Sequence, residues 1–440
     1  MNYSRITENE KGEITMNTEI TLNHFFADKV VNTTSGAMEN GTITDADTLT
    51  PEMKKFYDKT LITLAGANLV HEQFGQQRNI PKNGGKTVSF RRFSKLPKAM
   101  KAITEGVTPG GSKLQVSEVE CTVDQYGDYI EQTDMLELTA VDNTIVEATK
   151  ELASQAGLTL DTVVRNELVG GTNVMYVPKI KDGNTVEIYS RKDITPDCRF
   201  RVKDVFRAAA ELKAVNAPKI NGSYVAVIHP YVAYDLMQDA GEQWIGIQKY
   251  ADPENILRGE IGMLGGVRFV ESTEAKIFAP KKIADGFSRL TAKSVTAETD
   301  TVKVSETLTP VTFDTPVSVY VNGVENTVIS IANANGESVL TLGTKVANIP
   351  ENAVICGTGG GKDGSAVFCT LFIAANAYGV TSIEGGGLEH IVKQRGYGND
   401  PLNQRSSVGW KATKVAKRLL EEHLIRVESG SEFSPTAEEN

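Results

Sequence analysis

The sequence has little that chemistry could be built on. Across 440 residues there is no apolar run of the roughly 18 residues a membrane-spanning helix needs. Four cysteines, Cys121, Cys198, Cys356 and Cys369, are scattered without C-x-x-C spacing. That excludes a zinc ribbon and a disulfide framework, and fits a reducing cytoplasm. The five histidines, His24, His71, His229, His390 and His423, lie too far apart in sequence to mark a shared metal site. His229, before Pro230 at a strand-to-helix junction, reads as a capping or packing residue. The first residues mix Glu8, Glu10, Lys11 and Glu13 and lack the apolar stretch of a signal peptide.

Catalytic motifs are equally scarce. The run Gly357-Thr-Gly-Gly-Gly-Lys-Asp363 resembles a phosphate loop but fails at both ends. Cys356 stands where the first glycine is required, and Asp363 where a hydroxyl would hold magnesium and where an acid repels phosphate. Gly385-Gly-Gly387 opens no helix. No G-x-S-x-G nucleophile turn is present. The expectation is a protein that is not an enzyme, with no catalytic residue, no cofactor and no metal.

What is present is length, an acid excess and several distinct compositional zones. A chain of this size is expected to form two or three domains. Its net charge of −10 disfavours a dedicated nucleic-acid binder without excluding a local basic patch. Residues 1–50 are polar and read as an arm. Thr50-Pro51-Glu52 then signals a helix start, and Met53, Phe56, Tyr57, Leu61 and Leu64 carry a helical period to about Gln73. Residues 80–135 read as a long two-stranded excursion, from Thr87–Phe93 to Val116–Ile130. Its outgoing limb carries Lys82, Lys86, Arg91, Arg92, Lys95, Lys98 and Lys101, and its returning limb is acidic. One reading is a solvated hairpin face. The other is an excursion resting on an acidic neighbour, since two strands alone are marginal in water.

Residues 142–169 give the strongest helical stripe, stopped by Gly170-Gly171. Strands near Val174–Val177 and Thr185–Tyr189, a helix Val202–Val215, a buried strand Tyr224–Ile228, a helix from Pro230 and a strand ending at Glu271 predict an α+β body. In 281–365 threonine and valine dominate. Asn322-Gly323 and Asn335-Gly336 mark hairpin turns, so a small β-sandwich of immunoglobulin-like kind is expected, with linkers at Lys281-Lys282 and Gly357–Gly364. A buried strand Ala366–Ala375 and long strands Ser407–Lys417 and His423–Glu428 complete the body, and the acidic end reads as a disordered tail. The run Gly398-Asn-Asp-Pro-Leu-Asn-Gln-Arg-Ser-Ser-Val-Gly-Trp-Lys411 reads as a segment made to lie against a partner, with Arg405 and Trp410 as contacts.

Several of these stretches resemble one family. They are His71-Glu-Gln-Phe-Gly75, Ile80-Pro-Lys-Asn-Gly-Gly-Lys-Thr87, Phe90-Arg-Arg-Phe93, Thr104-Glu-Gly-Val-Thr-Pro109 and Gln125-Tyr-Gly-Asp-Tyr129. Leu160-Asp161, Ala377-Tyr-Gly379, Asp400–Arg405 and Val408-Gly-Trp-Lys411 continue the series in the same order. The chain resembles the tailed-phage major capsid proteins named after coliphage N-four, over 51–280 and 366–430, with 281–365 departing as an insertion. The resemblance implies the HK-97-type (Hong Kong 97) capsid fold. Residues 1–50 would be the N-terminal arm, 51–79 its helix region, 80–135 the extended loop and 136–210 the peripheral domain with a spine helix 142–169. Residues 211–280 and 366–388 would be the axial domain, 281–365 the inserted domain and 389–440 the closing strands and tail.

The implied function is an icosahedral shell that assembles itself from hexamers and pentamers in the host bacterial cytoplasm and encloses double-stranded DNA without tight binding. The implied partners are further copies of the chain, with portal, scaffolding and decoration proteins, and no membrane. Lys86, Arg91, Arg92, Lys95, Lys98, Lys101, Arg405 and Trp410 are the candidate inter-subunit contacts. An alternative makes the inserted domain a host-surface or glycan-binding module on a scaffold body. Self-crosslinking through Lys95, Lys98 or Lys101 is the remaining enzymatic reading, and nothing in the sequence supplies its catalytic acid.

Overall fold

The computed structural model describes three short strands among residues 31–43, and then residues 70–93, 96, 98–100, 102, 105–106, 110–139, 144–181, 184–240, 260–334, 336–384, 386–393, 395–396 and 402–440. The chain divides into two units, Met1–Ile62 and Thr63–Asn440. In the first, Val31–Thr33, Gly36–Glu39 and Thr42–Ile43 form a three-stranded antiparallel sheet. The helix expected from 51 lies outside the described residues except at its end, where Val70–Gly75 forms turns.

The second unit is organised by two sheets and one long helix. The larger sheet has seven strands. Its path runs Glu260–Leu264, Val267–Glu271, Tyr224–Ile228, Val367–Ile373, Leu424–Ser429 and Val174–Tyr176, with Ile277–Phe278 paired beside Val367–Ile373. Both central strands are buried along their whole length, which their unbroken apolar sequences, YVAVI and VFCTLFI, require. The helices Val202–Ala214 and Pro230–Ala240 share a core with this sheet through Val205, Leu212, Val232, Leu236, Phe269 and Phe372. His229 is buried at the start of the second helix and its Nδ1 accepts the Tyr231 amide at 3.2 Å, the capping role its sequence position implied.

The smaller sheet has five strands. Arg405–Arg418 lies at its centre, paired with Asp124–Thr133 along one part and with Glu389–Lys393 and Tyr378–Ile383 along others, and Gln76–Ile80 adds in parallel to Tyr378–Ile383. The helix Thr144–Val169 packs on this sheet with Leu152, Ala156, Leu160, Val164 and Leu168 buried. Its 26 residues span about 39 Å. Gly170-Gly171 ends it as expected. Arg418 donates to the Glu167 carbonyl and Arg426 to the Val169 carbonyl, so two cations satisfy helix-end acceptors where the macrodipole favours positive charge.

The region 281–365 is all β, but it is not a sandwich. Six strands close into a barrel in the order Arg289–Ala292, Thr299–Val304, Glu337–Val346, Val324–Ala334, Val311–Val321 and Ala353–Gly357, and the last pairs back onto the first through Leu290 and Ile355. The immunoglobulin-like expectation is therefore corrected. Strand number and turn chemistry are alike in both architectures, and closure is decided by a pairing more than 60 residues apart in sequence that local patterns do not encode. The Asn322-Gly323 turn forms as expected, with φ of 49° and 80°. Leu290, Val302, Val319, Val328, Leu340 and Ile355 fill the interior, so the barrel has its own core.

The acidic end is a second correction. It docks on the body: the Gly430 amide donates to the Cys198 carbonyl at 2.9 Å, and the Ala366 amide donates to the Pro435 carbonyl at 2.9 Å. Its composition reads as a tail because its anchors are backbone groups and single polar side chains, which composition does not weigh.

Candidate functional site

Several of the family-like stretches between His71 and Lys411 meet at two junctions in the fold. At the first, the amide and Nδ1 of His71 both reach the carboxylate of Asp161 on the long helix, at 2.8 and 2.6 Å. The Tyr378 hydroxyl donates to the His71 carbonyl. All three side chains are fully buried. Gly75 is glycine because a Cβ there would sit 2.5 Å from the Tyr378 ring. Gly379 likewise admits Phe90, whose ring would lie 2.5 Å from an added Cβ. Arg78 stands over that ring, 5.5 Å from its centre.

The second junction joins Asp124–Thr133 to Arg405–Arg418. Gly127 and Gly409 let these strands approach, since a Cβ at Gly127 would sit 2.6 Å from the Trp410 carbonyl and one at Gly409 would sit 2.7 Å from Tyr129 Cβ. Trp410 is 3% exposed, and its indole N–H donates to Gln155 Oε1 at 3.2 Å. The Gln155 amide in turn donates to Asp128 Oδ2 at 2.6 Å, which holds that carboxyl below its ordinary pKa. The Trp410 side chain is thus enclosed within the subunit. It is spent inside its own subunit, because Val408, Trp410, Ala412 and Ala416 share one buried face of the strand.

The excursion 80–135 behaves differently. Thr87–Phe93 and Val116–Thr122 pair in register from Thr87 and Thr122 to Phe93 and Val116, and form a two-stranded sheet by themselves. Phe90, Cys121 and Val123 bury the base. Beyond it, Leu96, Met100, Leu114 and Val116 are 49–85% exposed. Lys86, Arg91, Arg92 and Lys98 are exposed on the same limb. Lys95 and Lys101 lie outside the described residues. Arg91 Nε reaches Glu118 Oε1 across the hairpin at 3.0 Å, so part of the segregated charge is paired within the hairpin. Both partners are open to solvent, and such a pair contributes about 0–1 kcal/mol. Arg405 is exposed at the start of its strand.

Among the described residues no group of acids, histidines or cysteines has the geometry of a metal site, and no helix is long and apolar enough to cross a membrane. All four cysteines are free and buried, and burial pushes the Cys369 thiol up to about 12.

With this geometry in view, similarity to known proteins becomes interpretable. Residues 162–308, a third of the chain, match a family described as phage capsid protein. No curated protein matches the sequence. Among solved structures, the capsid of Ralstonia phage GP4 superposes with a TM-score of 0.50 at 14% identity, covering 83% of this chain and 89% of that one. The capsid chain of cyanophage Pam1 gives 0.48 at 12% identity, covering 91% and 99%. The Helicobacter pylori bacteriophage KHP40 head gives 0.44 at 10%, covering 97% and 100%. The match over residues 162–308 and the superposition on the Ralstonia phage GP4 capsid together support a structural capsid protein of a bacteriophage shell, with a capsid-type fold.

Proposed function

We propose that the chain assembles through its extended hairpin into an icosahedral shell of hexamers and pentamers, as a non-enzymatic component of the virion capsid formed in the host cytoplasm. The observation that carries this is the hairpin itself. Two strands with Leu96, Met100, Leu114 and Val116 exposed and a basic limb alongside have no core to lie on among the described residues. A neighbouring subunit supplies one. Shell contacts of this kind are heterologous, so a basic projecting limb requires an acidic surface elsewhere on the same chain, which its net charge of −10 favours. Each exposed ion pair is weak, and strength comes from many repeated contacts around a closed shell.

Residues 80–135 would be the extended loop, 136–210 the peripheral domain with Thr144–Val169 as its spine, and 211–280 with 366–388 the axial domain, the seven-stranded sheet taking strands from both. The resemblance of the family-like stretches to the coliphage N-four group supports this assignment, and the barrel would project from the axial domain on the outer surface. Portal, scaffolding and decoration proteins are the further partners, and packaged DNA is enclosed without specific contact.

Electron microscopy of the purified chain, alone and with its neighbouring gene products, tests this. Closed shells with knobs on the capsomers are expected. Changing Arg91, Arg92 and Lys95 together to Glu should abolish shells and leave a folded subunit. Normal shells from that variant would reduce the basic limb to a solvated face.

A further inference from the structure

The segment after the last strand is tied to parts of the subunit that are far apart in sequence. At its near end the Gly430 amide donates to the Cys198 carbonyl, and Glu432 pairs with Arg199 at 2.5 Å. Phe433 lies against Tyr231 and Tyr234 of the helix Pro230–Ala240, with ring centres at 4.9 and 5.2 Å. In the middle, the Pro435 carbonyl accepts from the Ala366 amide at 2.9 Å and from Arg289 at 3.3 Å. Arg289 belongs to the first barrel strand and also donates to the Gly364 carbonyl, so this one carbonyl joins the barrel to the point where the chain leaves it.

The far end is more specific. The side-chain amide of Asn440 is completely matched. Oδ1 accepts the Ile277 amide at 3.0 Å, and Nδ2 donates to the Thr273 and Ala275 carbonyls at 3.1 and 2.9 Å. Its main-chain oxygen accepts from Arg165 at 3.1 Å and Lys276 at 2.8 Å, and Lys276 also pairs with Glu439 at 2.7 Å. Arg165 is 2% exposed on the long helix. Its other partners are the carbonyl of Glu274 at 2.9 Å, the Glu274 carboxylate at 3.5 Å and the neighbouring Asn166 amide oxygen. Residues 273–277 lead into Ile277–Phe278, the last strand of the seven-stranded sheet before the chain reaches the barrel at Arg289, so the socket grips the long helix and that body strand together.

We propose that residues 430–440 are a strap that engages as one unit and fixes the barrel's attitude on the body, with the Asn440 socket as its clasp. Most of the contacts are polar or ionic, and the ion pairs sit at the solvent boundary. Glu432 is 66% and Glu439 51% exposed. Singly they compete poorly with water. Docked at one point, the short segment holds its remaining groups at high local concentration, and the contacts reinforce one another. Release would leave Arg165 buried with fewer partners and the barrel held by its two chain crossings and Arg289. The strap is thus a switchable coupling between barrel and long helix, and it stands whether or not the chain forms shells.

Hydrogen exchange on the full-length chain tests this residue by residue. In Asn440→Ala the Ile277 amide loses its acceptor directly. A strap acting as a unit also makes the Ala366 and Gly430 amides exchange faster by about tenfold or more, while Tyr224–Ile228 keeps its protection. If only Ile277 accelerates, the contacts are independent and the proposal falls. Should Asn440→Ala unfold the chain, seen as lost protection in Tyr224–Ile228, the exposed-end variant Glu432→Gln decides. It must accelerate Ile277, eight residues from the substitution along the strap and across the body. A wild-type rate at Ile277 overturns the strap.

Discussion

The hairpin 80–135 and the barrel 281–365 are both β excursions from one body, and they solve the problem of an excursion in opposite ways. The barrel closes, so every strand has two neighbours, and it fills its interior with Leu290, Val319, Leu340 and Ile355. The hairpin stays open, with two strands, a buried base at Phe90 and an exposed apolar far end. A closed unit needs nothing from outside and can be carried as cargo. An open one leaves strand edges and apolar side chains in water, which the proposed shell contact would cover.

The contrast breaks most sharply in the barrel core. Leu340→Ala should cost about 2–5 kcal/mol of barrel stability. In calorimetry it should split off a low-temperature transition and leave the body's transition in place. A single shifted transition would mean that barrel and body unfold together. Next in size is Gly379→Ala, which drives a methyl into the Phe90 ring and should cost about 1–3 kcal/mol. Hydrogen exchange at Thr87–Phe93 should rise while the barrel stays unchanged.

Acid separates the two regions more gently. Lys293 and Lys303 hold Glu337 on the barrel down to about 2 from its usual 4.5. A depressed carboxyl stabilises the fold above its unfolded pKa, and that contribution is lost as pH falls from about 4.5 to about 2. In the body, burial lowers His229 to about 4, so its contribution fades as pH falls from about 6.5 to about 4. Burial raises Asp204 to about 6, and its contribution, present below about 3.8, is lost as pH rises through about 6. These two oppose each other. Burial raises Asp235 and Glu271 as well, and they act with Asp204, so the body's thermal midpoint should not fall between about pH 6 and 4, and Glu337→Gln should remove part of the barrel's decline below about 4.5. An unchanged acid profile in Glu337→Gln would reject the assignment. Smallest of all, Arg91→Ala should change subunit stability by under about 1 kcal/mol, and still less in high salt. Equilibrium denaturation at two salt concentrations checks it.

Much of the body was readable because its signals are local and strong. The long helix, the apolar strands Tyr224–Ile228 and Val367–Ile373 and the Asn322-Gly323 turn each follow from short-range pattern. The burial of Trp410 is not evident from the sequence although Val408, Trp410, Ala412 and Ala416 alternate in its strand. The polar residues around it hid a period of two, and buried Lys414, paired with Glu72, breaks the apolar pattern. Barrel closure and the docking of residues 430–440 were not readable. Both depend on pairings between distant segments, made largely by backbone groups that every residue carries. From sequence Arg91 belongs to a basic limb facing solvent or an acidic neighbour, whereas the register places Glu118 of the same hairpin opposite it.

The two chain crossings into the barrel run side by side, with the Lys281 amide donating to the Thr358 carbonyl at 3.0 Å. Gly357 is pressed so close to Lys281 that a Cβ would sit 2.0 Å from its carbonyl oxygen. Entry and exit are thus one strand spacing apart, about 4.8 Å. This doorway is a splice port. Any module whose own ends meet at that spacing can be exchanged for the barrel without asking the body to move.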